Sequence, residues 1–308
     1  MTSGRIDTHQ HIIPPEYRRL LDERGLSAGR WPTPEWAPEA ALALMDSSNI
    51  ATGILSVSSP GVHLGPGAEG RTIARRVNTY TAEVVKDRPD RFGCFAGVPL
   101  PDVDGSLEEI AHAFDEIGAD GVVLMSHADG KYLGHKDFEP LWEELDARNA
   151  VVFIHPTSPP MEILDGLPSP ILDFPFDTTR TAIHMVANGV LRRHKRVRVI
   201  LSHAGGFLPY AAYRFIGAAQ FNSGIAPEEI FEDMKRFYFD TAVSSTPVAM
   251  PSLLAFADPT RITYGSDFPY VPSSKLFDAM LENYPLSEEQ RFAIDRGNAL
   301  ALFPRLAQ

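Results

Sequence analysis

The sequence predicts an α/β chain wound into a closed (β/α)8 barrel. Eight short apolar runs alternate with longer stretches of helical period along 308 residues. The runs are continuously apolar instead of alternating, as parallel strands covered on both faces require. The first run is followed by His9-Gln10-His11, whereas an open doubly wound sheet would place a glycine-rich phosphate turn there. A strand–helix alternation repeated eight times over such a length closes into a barrel of the TIM type.

The elements follow in order. Strands are expected at Gly4–Thr8, Thr52–Val57, Phe92–Val98, Gly121–Met125, Val151–Ile154, Val197–Ser202, Phe237–Asp240 and Ile262–Gly265. Between them, helix is expected from Pro38 to Asn49, opened by a proline whose missing N–H costs nothing in a first turn. Helical period continues over Gly70–Lys86, Ser106–Ile117 and Phe138–Arg148. Ser106 with Glu109 three residues on reads as a capping box. Further helices are expected at Thr178–His194, Phe207–Phe221, Pro247–Phe256 and Ser274–Tyr284. A last one spans Ser287–Leu302, with Ser287 and Gln290 as its cap. Two Pro/Gly-rich stretches, Pro60–Gly70 and Pro156–Pro175, follow the second and fifth strands, where a barrel carries its catalytic rim. With no linker in view, residues 1–308 read as one barrel domain.

Composition narrows the class. Hydrophobic residues make up 44% and charged residues 22%, close to the globular average, which excludes a disordered chain, a collagen-like repeat or a coiled coil. The net charge of −12 opposes binding to nucleic acid or an anionic membrane. No run approaches the roughly 20 apolar residues that span a bilayer, and the first residues carry no apolar signal region, so a cytoplasmic protein is expected. The single cysteine, Cys94, excludes an intrachain disulfide and a cysteine-based metal site.

The chemistry lies at the strand ends. His9 and His11 follow the first strand, His155 closes the fifth, His203 closes the sixth, and Asp267 follows the eighth. In a barrel these ends share one mouth. Two histidines one residue apart on extended chain face the same way, because side chains alternate with period two. His9 and His11 can therefore grip one divalent cation, with His155 as a third nitrogen and Asp267 as an oxygen that offsets charge. Three or four protein ligands with a position left open is the pattern of a catalytic metal. A mixed N and O set suits zinc first, and manganese or iron as well. A lone histidine at a strand end is more often a satisfied polar residue; it is the combination that is specific. His112, His184 and His194 fall in helical patterns and read as surface or packing residues, while His63, His127 and His135 lie in rim loops.

This constellation resembles the amidohydrolase superfamily. It is closest to the branch of the aminocarboxymuconate-semialdehyde decarboxylases and the hydroxybenzoate decarboxylases. The matching stretches are Ile6-Asp7-Thr8-His9-Gln10-His11, Phe153-Ile154-His155-Pro156, Leu201-Ser202-His203-Ala204-Gly205-Gly206, Phe237-Tyr238-Phe239-Asp240 and Tyr264-Gly265-Ser266-Asp267-Phe268-Pro269. Leu55–Val62, Tyr132–Phe138 and Phe153–Pro159 further resemble the 6-methylsalicylate decarboxylases. The resemblance implies that His9, His11, His155 and Asp267 hold one divalent metal ion and that His203 is the catalytic histidine beside it. It also implies that Arg214 binds a substrate carboxylate and that the chain forms a homodimer or larger assembly, in which Arg214 can reach a neighbour's site. The family's second substrate arginine has no counterpart in Trp36–Leu42, and its bridging lysine is absent from Val123-Leu124-Met125-Ser126. A single metal and a substrate with one carboxylate follow.

The expected reaction is loss of carbon dioxide from a small aromatic hydroxy acid of the salicylate or 6-methylsalicylate type. The ring carbon is protonated first, by His203 or Asp267. The pocket is expected to be apolar, drawing on Phe174, Phe176, Tyr210, Phe268 and Tyr270, with Ser58 or Ser59 bonding a phenol. Asp240 is expected to orient His203 or a metal ligand from behind. The same residues could instead activate water against a lactone, amide or ester. A noncatalytic metal protein would need a coordinatively closed site.

Overall fold

A computed structural model describes residues 4–65, 69–221 and 224–307. Eight parallel strands form the sheet: β1 (Arg5–His11), β2 (Ile50–Ser56), β3 (Phe92–Gly97), β4 (Gly121–Met125), β5 (Val151–His155), β6 (Arg198–Leu201), β7 (Tyr238–Asp240) and β8 (Ile262–Thr263). They stand in chain order, each beside the next. The ring closes just beyond β8, where Thr8 N–H donates to the Tyr264 carbonyl at 2.9 Å and His11 N–H to the Phe268 carbonyl at 2.7 Å. Asp267 N–H returns a bond to the His9 carbonyl at 2.9 Å. The first and last strands therefore meet along a seam.

Period two divides each strand between two cores. Ile6, Ile54, Phe95, Val123, Phe153 and Ile200 point inward and fill the barrel. Val122, Leu124, Val152, Ile154, Val199 and Leu201 point outward against the helices. On β5 the inward set is Val151, Phe153 and His155, so the parity that buries Phe153 also aims the histidine up the axis. Phe153 stacks on Phe95 with ring centres 5.6 Å apart and meets the His9 ring edge-on at 4.9 Å. It forms the apolar floor beneath the mouth.

Helices α1 (Pro15–Arg24), α2 (Pro38–Ser47), α3 (Glu69–Asp87), α4 (Val103–Asp115), α5 (Glu139–Ala147), α6 (Ser169–Ala187) and α7 (Leu208–Phe215) wrap the first six strands. Three expectations are corrected. Strand β1 runs on to His11 instead of stopping at Thr8, because its neighbours carry backbone bonds across the whole His-x-His segment. Helix α4 starts earlier than expected: Asp102 caps it by accepting the Gly105 N–H at 3.0 Å, and Glu109 instead receives Arg75 and Asn78. Helix α6 begins nine residues before the expected Thr178, inside the proline-rich stretch. Pro170 sits in the first turn, where no N–H is missed, and Thr179 Oγ1 donates to the carbonyl of Pro175 inside the helix. The Ser287–Gln290 capping box forms as expected. Helix α1 and a short ribbon pairing His127–Ala128 with Lys131–Tyr132 have no counterpart among the expected elements. Among the described residues no helix is long and apolar enough to cross a membrane.

Candidate metal centre

His9, His11, His155 and Asp267 converge at the mouth: one donor atom from each lies within 4.8 Å of the other three. All four side chains are buried. The Nε2 atoms of His9 and His11 are 3.1 Å apart, and Asp267 Oδ1 stands 3.4 Å from the first and 3.2 Å from the second. The outer nitrogens face away. His9 Nδ1 meets Asp240 Oδ2 at 2.8 Å, His11 Nδ1 the Ser56 carbonyl at 3.2 Å, and His155 Nδ1 the Pro156 carbonyl at 2.8 Å. An acceptor on each Nδ1 fixes the proton there and leaves Nε2 free to ligate, which is how imidazoles are prepared for a metal. The donor set fits one divalent ion.

The backbone delivers Asp267 by a sharp turn. Its φ of 62° is left-handed, a conformation that aspartate adopts more readily than most residues. Two residues earlier, a side chain at Gly265 would bring Cβ within 2.8 Å of His9 Cβ, so only glycine lets the last strand approach the first. His203 and Ala204 are also left-handed, at 54° and 55°. The His203 N–H donates to Asp240 Oδ1 at 2.9 Å, which helps to hold that turn.

Charges are distributed accordingly. Burial opposes charge on His9, but Asp240 and Asp267 outweigh it and raise the imidazole to about 10. Burial lowers His11. Burial, reinforced by His11, His9 and His203, holds His155 well below the ordinary imidazole range. Asp267 is pushed up by burial, yet His9, His11 and His203 outweigh this and keep it well below the usual carboxylate range. The centre thus presents two neutral imidazoles, one ionised carboxylate and one imidazole that carries a displaceable proton.

A cavity of about 350 Å³ opens onto this cluster. His155, His203 and Asp267 reach its base, while Trp31, Ile171, Phe174, Val243 and Tyr270 form much of the wall. Ser58 also lines it. His203 Nε2 stands 3.4 Å from Asp267 Oδ2.

Other expected pocket residues lie elsewhere. Ser59 is buried and bonds Thr157 Oγ1 at 2.8 Å, leaving the cavity to its neighbour Ser58. Phe268 packs into the core between barrel and helices. Phe176 faces outward, with the Arg180 guanidinium 5.4 Å over its ring, so Phe174 and Pro175 carry the α6 contribution. Tyr210 is 83% exposed, and Arg214 is exposed on the same helix, α7, outside the cavity of its own chain. His63 and His127 line a separate, smaller pocket, where they bond Asp129 and the Ser158 carbonyl, and His135 does not line the cavity. Trp31, Ile171 and Val243 carry no sequence signal: Trp31 and Val243 lie outside the regular helices and strands, and Ile171 sits in the proline-rich start of α6.

Residues 6–305 match the model of the amidohydrolase family. The chain is 41% identical to the decarboxylase yanB of Aspergillus niger, over 98% of this chain and 88% of that protein. It is 39% identical to a 6-methylsalicylic acid decarboxylase of Penicillium expansum, over 98% of this chain and 97% of that one. The fold superposes with a TM-score of 0.83 on a dihydroxybenzoic acid decarboxylase of Polaromonas sp., 25% identical over 99% of this chain and 98% of that one. That structure was solved with manganese and the inhibitor 2-nitroresorcinol. With its strand order, its converging ligands and its match over nearly the whole length, the chain belongs to the amidohydrolase family.

Proposed function

We propose that this protein is a metal-dependent, nonoxidative decarboxylase of a small aromatic hydroxy acid of the 6-methylsalicylate or salicylate type. The carrying observation is the junction of two features: a ligand cluster of three imidazoles and a carboxylate, and a cavity of about 350 Å³ walled by Trp31, Phe174 and Tyr270. That volume suits a single substituted ring. The named decarboxylases to which the chain is similar along its length support the same reaction.

His9, His11, His155 and Asp267 would hold one divalent ion. It would supply the positive charge that binds the substrate carboxylate and the ortho phenolic oxygen and stabilises phenolate charge. Manganese is the first ion to test, given the Polaromonas structure, with zinc as the alternative that this donor set also suits. The wall of the cavity holds the ring so that the carbon bearing the carboxylate faces the Asp267–His203 pair. That pair delivers a proton to this carbon. The bond to the carboxylate then breaks, carbon dioxide leaves, and the electron pair returns to the ring and restores aromaticity. Ser58 and Tyr270 are placed to bond polar ring substituents. Asp240 keeps His9 in its ligating tautomer.

Residues 1–308 act as one barrel domain in this reading, and the protein works in the cytoplasm as a homodimer or larger assembly. Tyr210, Tyr213 and Phe221 are exposed near Arg214, which favours burial of that face against a second copy, with Arg214 of the partner subunit meeting the substrate carboxylate. The test is carbon dioxide release from 6-methylsalicylate and salicylate by manganese- and zinc-loaded protein, run beside a panel of lactones. Turnover of the acids supports the reading. Hydrolysis of a lactone with inert acids would replace it with metal-activated hydrolysis.

A further inference from the structure

Behind the cavity wall lies a second buried polar cluster that the proposed chemistry does not use. Asp177, on α6, is fully buried. Its Oδ1 accepts the Tyr132 hydroxyl at 2.5 Å and its Oδ2 accepts the Ser126 hydroxyl. Ser126 follows β4 directly and is itself fully buried. Its Oγ accepts the Thr157 N–H at 3.0 Å, and its own N–H donates to the His155 carbonyl at 2.9 Å. Ser126 thus grips the chain on both sides of Pro156. The Pro156 carbonyl is the group to which His155 Nδ1 donates, at 2.8 Å. The orientation of the His155 ring is therefore set by a carbonyl whose neighbours on either side are tied to Ser126, and Ser126 is tied to Asp177.

Helix α6 carries more than this anchor. One turn before Asp177, Phe174 and Pro175 form part of the cavity wall, and the Phe174 ring stands edge-on to His155 at 5.9 Å. One turn after Pro175, Thr179 Oγ1 accepts the Phe207 N–H at 2.8 Å, in the loop that follows His203. At Gly206 in that loop an added Cβ would lie 2.0 Å from the Pro175 carbonyl oxygen, so loop and helix are in close contact. The first half of α6 spans the mouth from the His155 turn to the His203 loop.

We infer that Asp177 is a positioning residue: acting through Ser126, it sets the His155 turn and the Phe174–Pro175 wall in one register, so that a metal ligand and the ring-binding surface share a single buried anchor. The relay is polarised in one sense, from the Thr157 N–H to Ser126 and from the Ser126 hydroxyl to the carboxylate, and hydrogen bonds in such a chain strengthen one another in a dry interior. Tyr132 joins the same carboxylate but touches neither Pro156 nor Thr157 through it, which makes it the internal control.

This inference rests on His155 being a metal ligand, and the experiment separates the two. Manganese and zinc affinity, turnover of 6-methylsalicylate and melting temperature are measured for the full-length wild type and for Ser126→Ala, Asp177→Asn and Tyr132→Phe. Wild type that takes up neither manganese nor zinc refutes the metal centre itself. Given wild-type uptake, Ser126→Ala and Asp177→Asn are expected to bind that ion about 10–100-fold more weakly, the usual scale for a group that orients a ligand from behind. Tyr132→Phe is expected to stay within about twofold in affinity while melting lower. Affinities of Ser126→Ala and Asp177→Asn equal to wild type overturn the inference, and so does an equal loss in Tyr132→Phe, which would make the effect one of general packing. If Ser126→Ala does not fold, Asp177→Asn against Tyr132→Phe decides the same question.

Discussion

The carboxylate of Asp240 stands 2.8 Å from Nδ1 of His9, and its other oxygen holds the backbone N–H of His203 at 2.9 Å. One buried side chain therefore orients an expected metal ligand and fixes the turn that presents the expected proton-transfer histidine. Asp240→Ala is expected to weaken manganese binding about 10–100-fold and also to lower turnover at saturating metal, because the His203 loop loses its tether. Metal titration followed by steady-state kinetics at full occupancy measures the two effects separately. A variant fully active once loaded would limit Asp240 to His9 alone.

His203 reaches the cavity without belonging to the four-residue cluster. His203→Asn is accordingly expected to keep its manganese and to lose about 10²–10⁴-fold in turnover, the range for loss of a general acid or base. His155→Ala is expected to fail at the earlier step, with metal content falling by elemental analysis. Similar metal loss in both variants would place His203 among the ligands.

Metal uptake is expected to depend on pH with a defined sign. Without metal, His9 is raised to about 10 and holds a proton at neutral pH, and ligation by Nε2 has to displace it. Each manganese bound at pH 7.5 should thus release about one proton, and affinity should climb as pH rises towards 10. The stability of the metal-free protein runs the other way. The contribution of a raised histidine is fully present below its unfolded value of about 6.5 and fades as pH rises through about 10. Calorimetry in buffers of different ionisation heat counts the protons; a count near zero would contradict a charged His9.

Cys94 gives a test of the barrel that is independent of the metal. It is buried on β3, and burial pushes its thiol up to about 12. The native protein is expected to be inert to thiol reagents at pH 8, and to react once upon unfolding in denaturant. Rapid labelling of native protein would contradict the packing between β3 and α4.

The legible parts of this molecule are those governed by periodicity or by chemistry at strand ends. The apolar runs announced eight strands, and the five residues His9, His11, His155, His203 and Asp267 could be grouped because barrel strands share one mouth. The cavity wall was less accessible. Sequence position alone favours Phe176 as much as Phe174, yet both lie on α6, and the face that this helix turns to the mouth brings Phe174 into the cavity and leaves Phe176 outside. The start of α6 was hidden by Pro170 and Pro175, which ordinarily argue against helix. Asp177 gave no sign at all, because its partners Ser126 and Tyr132 are brought to it only by tertiary folding.

The seam between β1 and β8 has a consequence for how the protein matures. His9 and His11 are made about 250 residues before Asp267, and the bond from Asp267 N–H to the His9 carbonyl can form only when both are in place. A nascent chain can offer two or three nitrogens to a passing ion but never the complete set. The complete expected set therefore comes together only after the barrel has closed, and a chain cut short before the final strand presents at most three of the four donors.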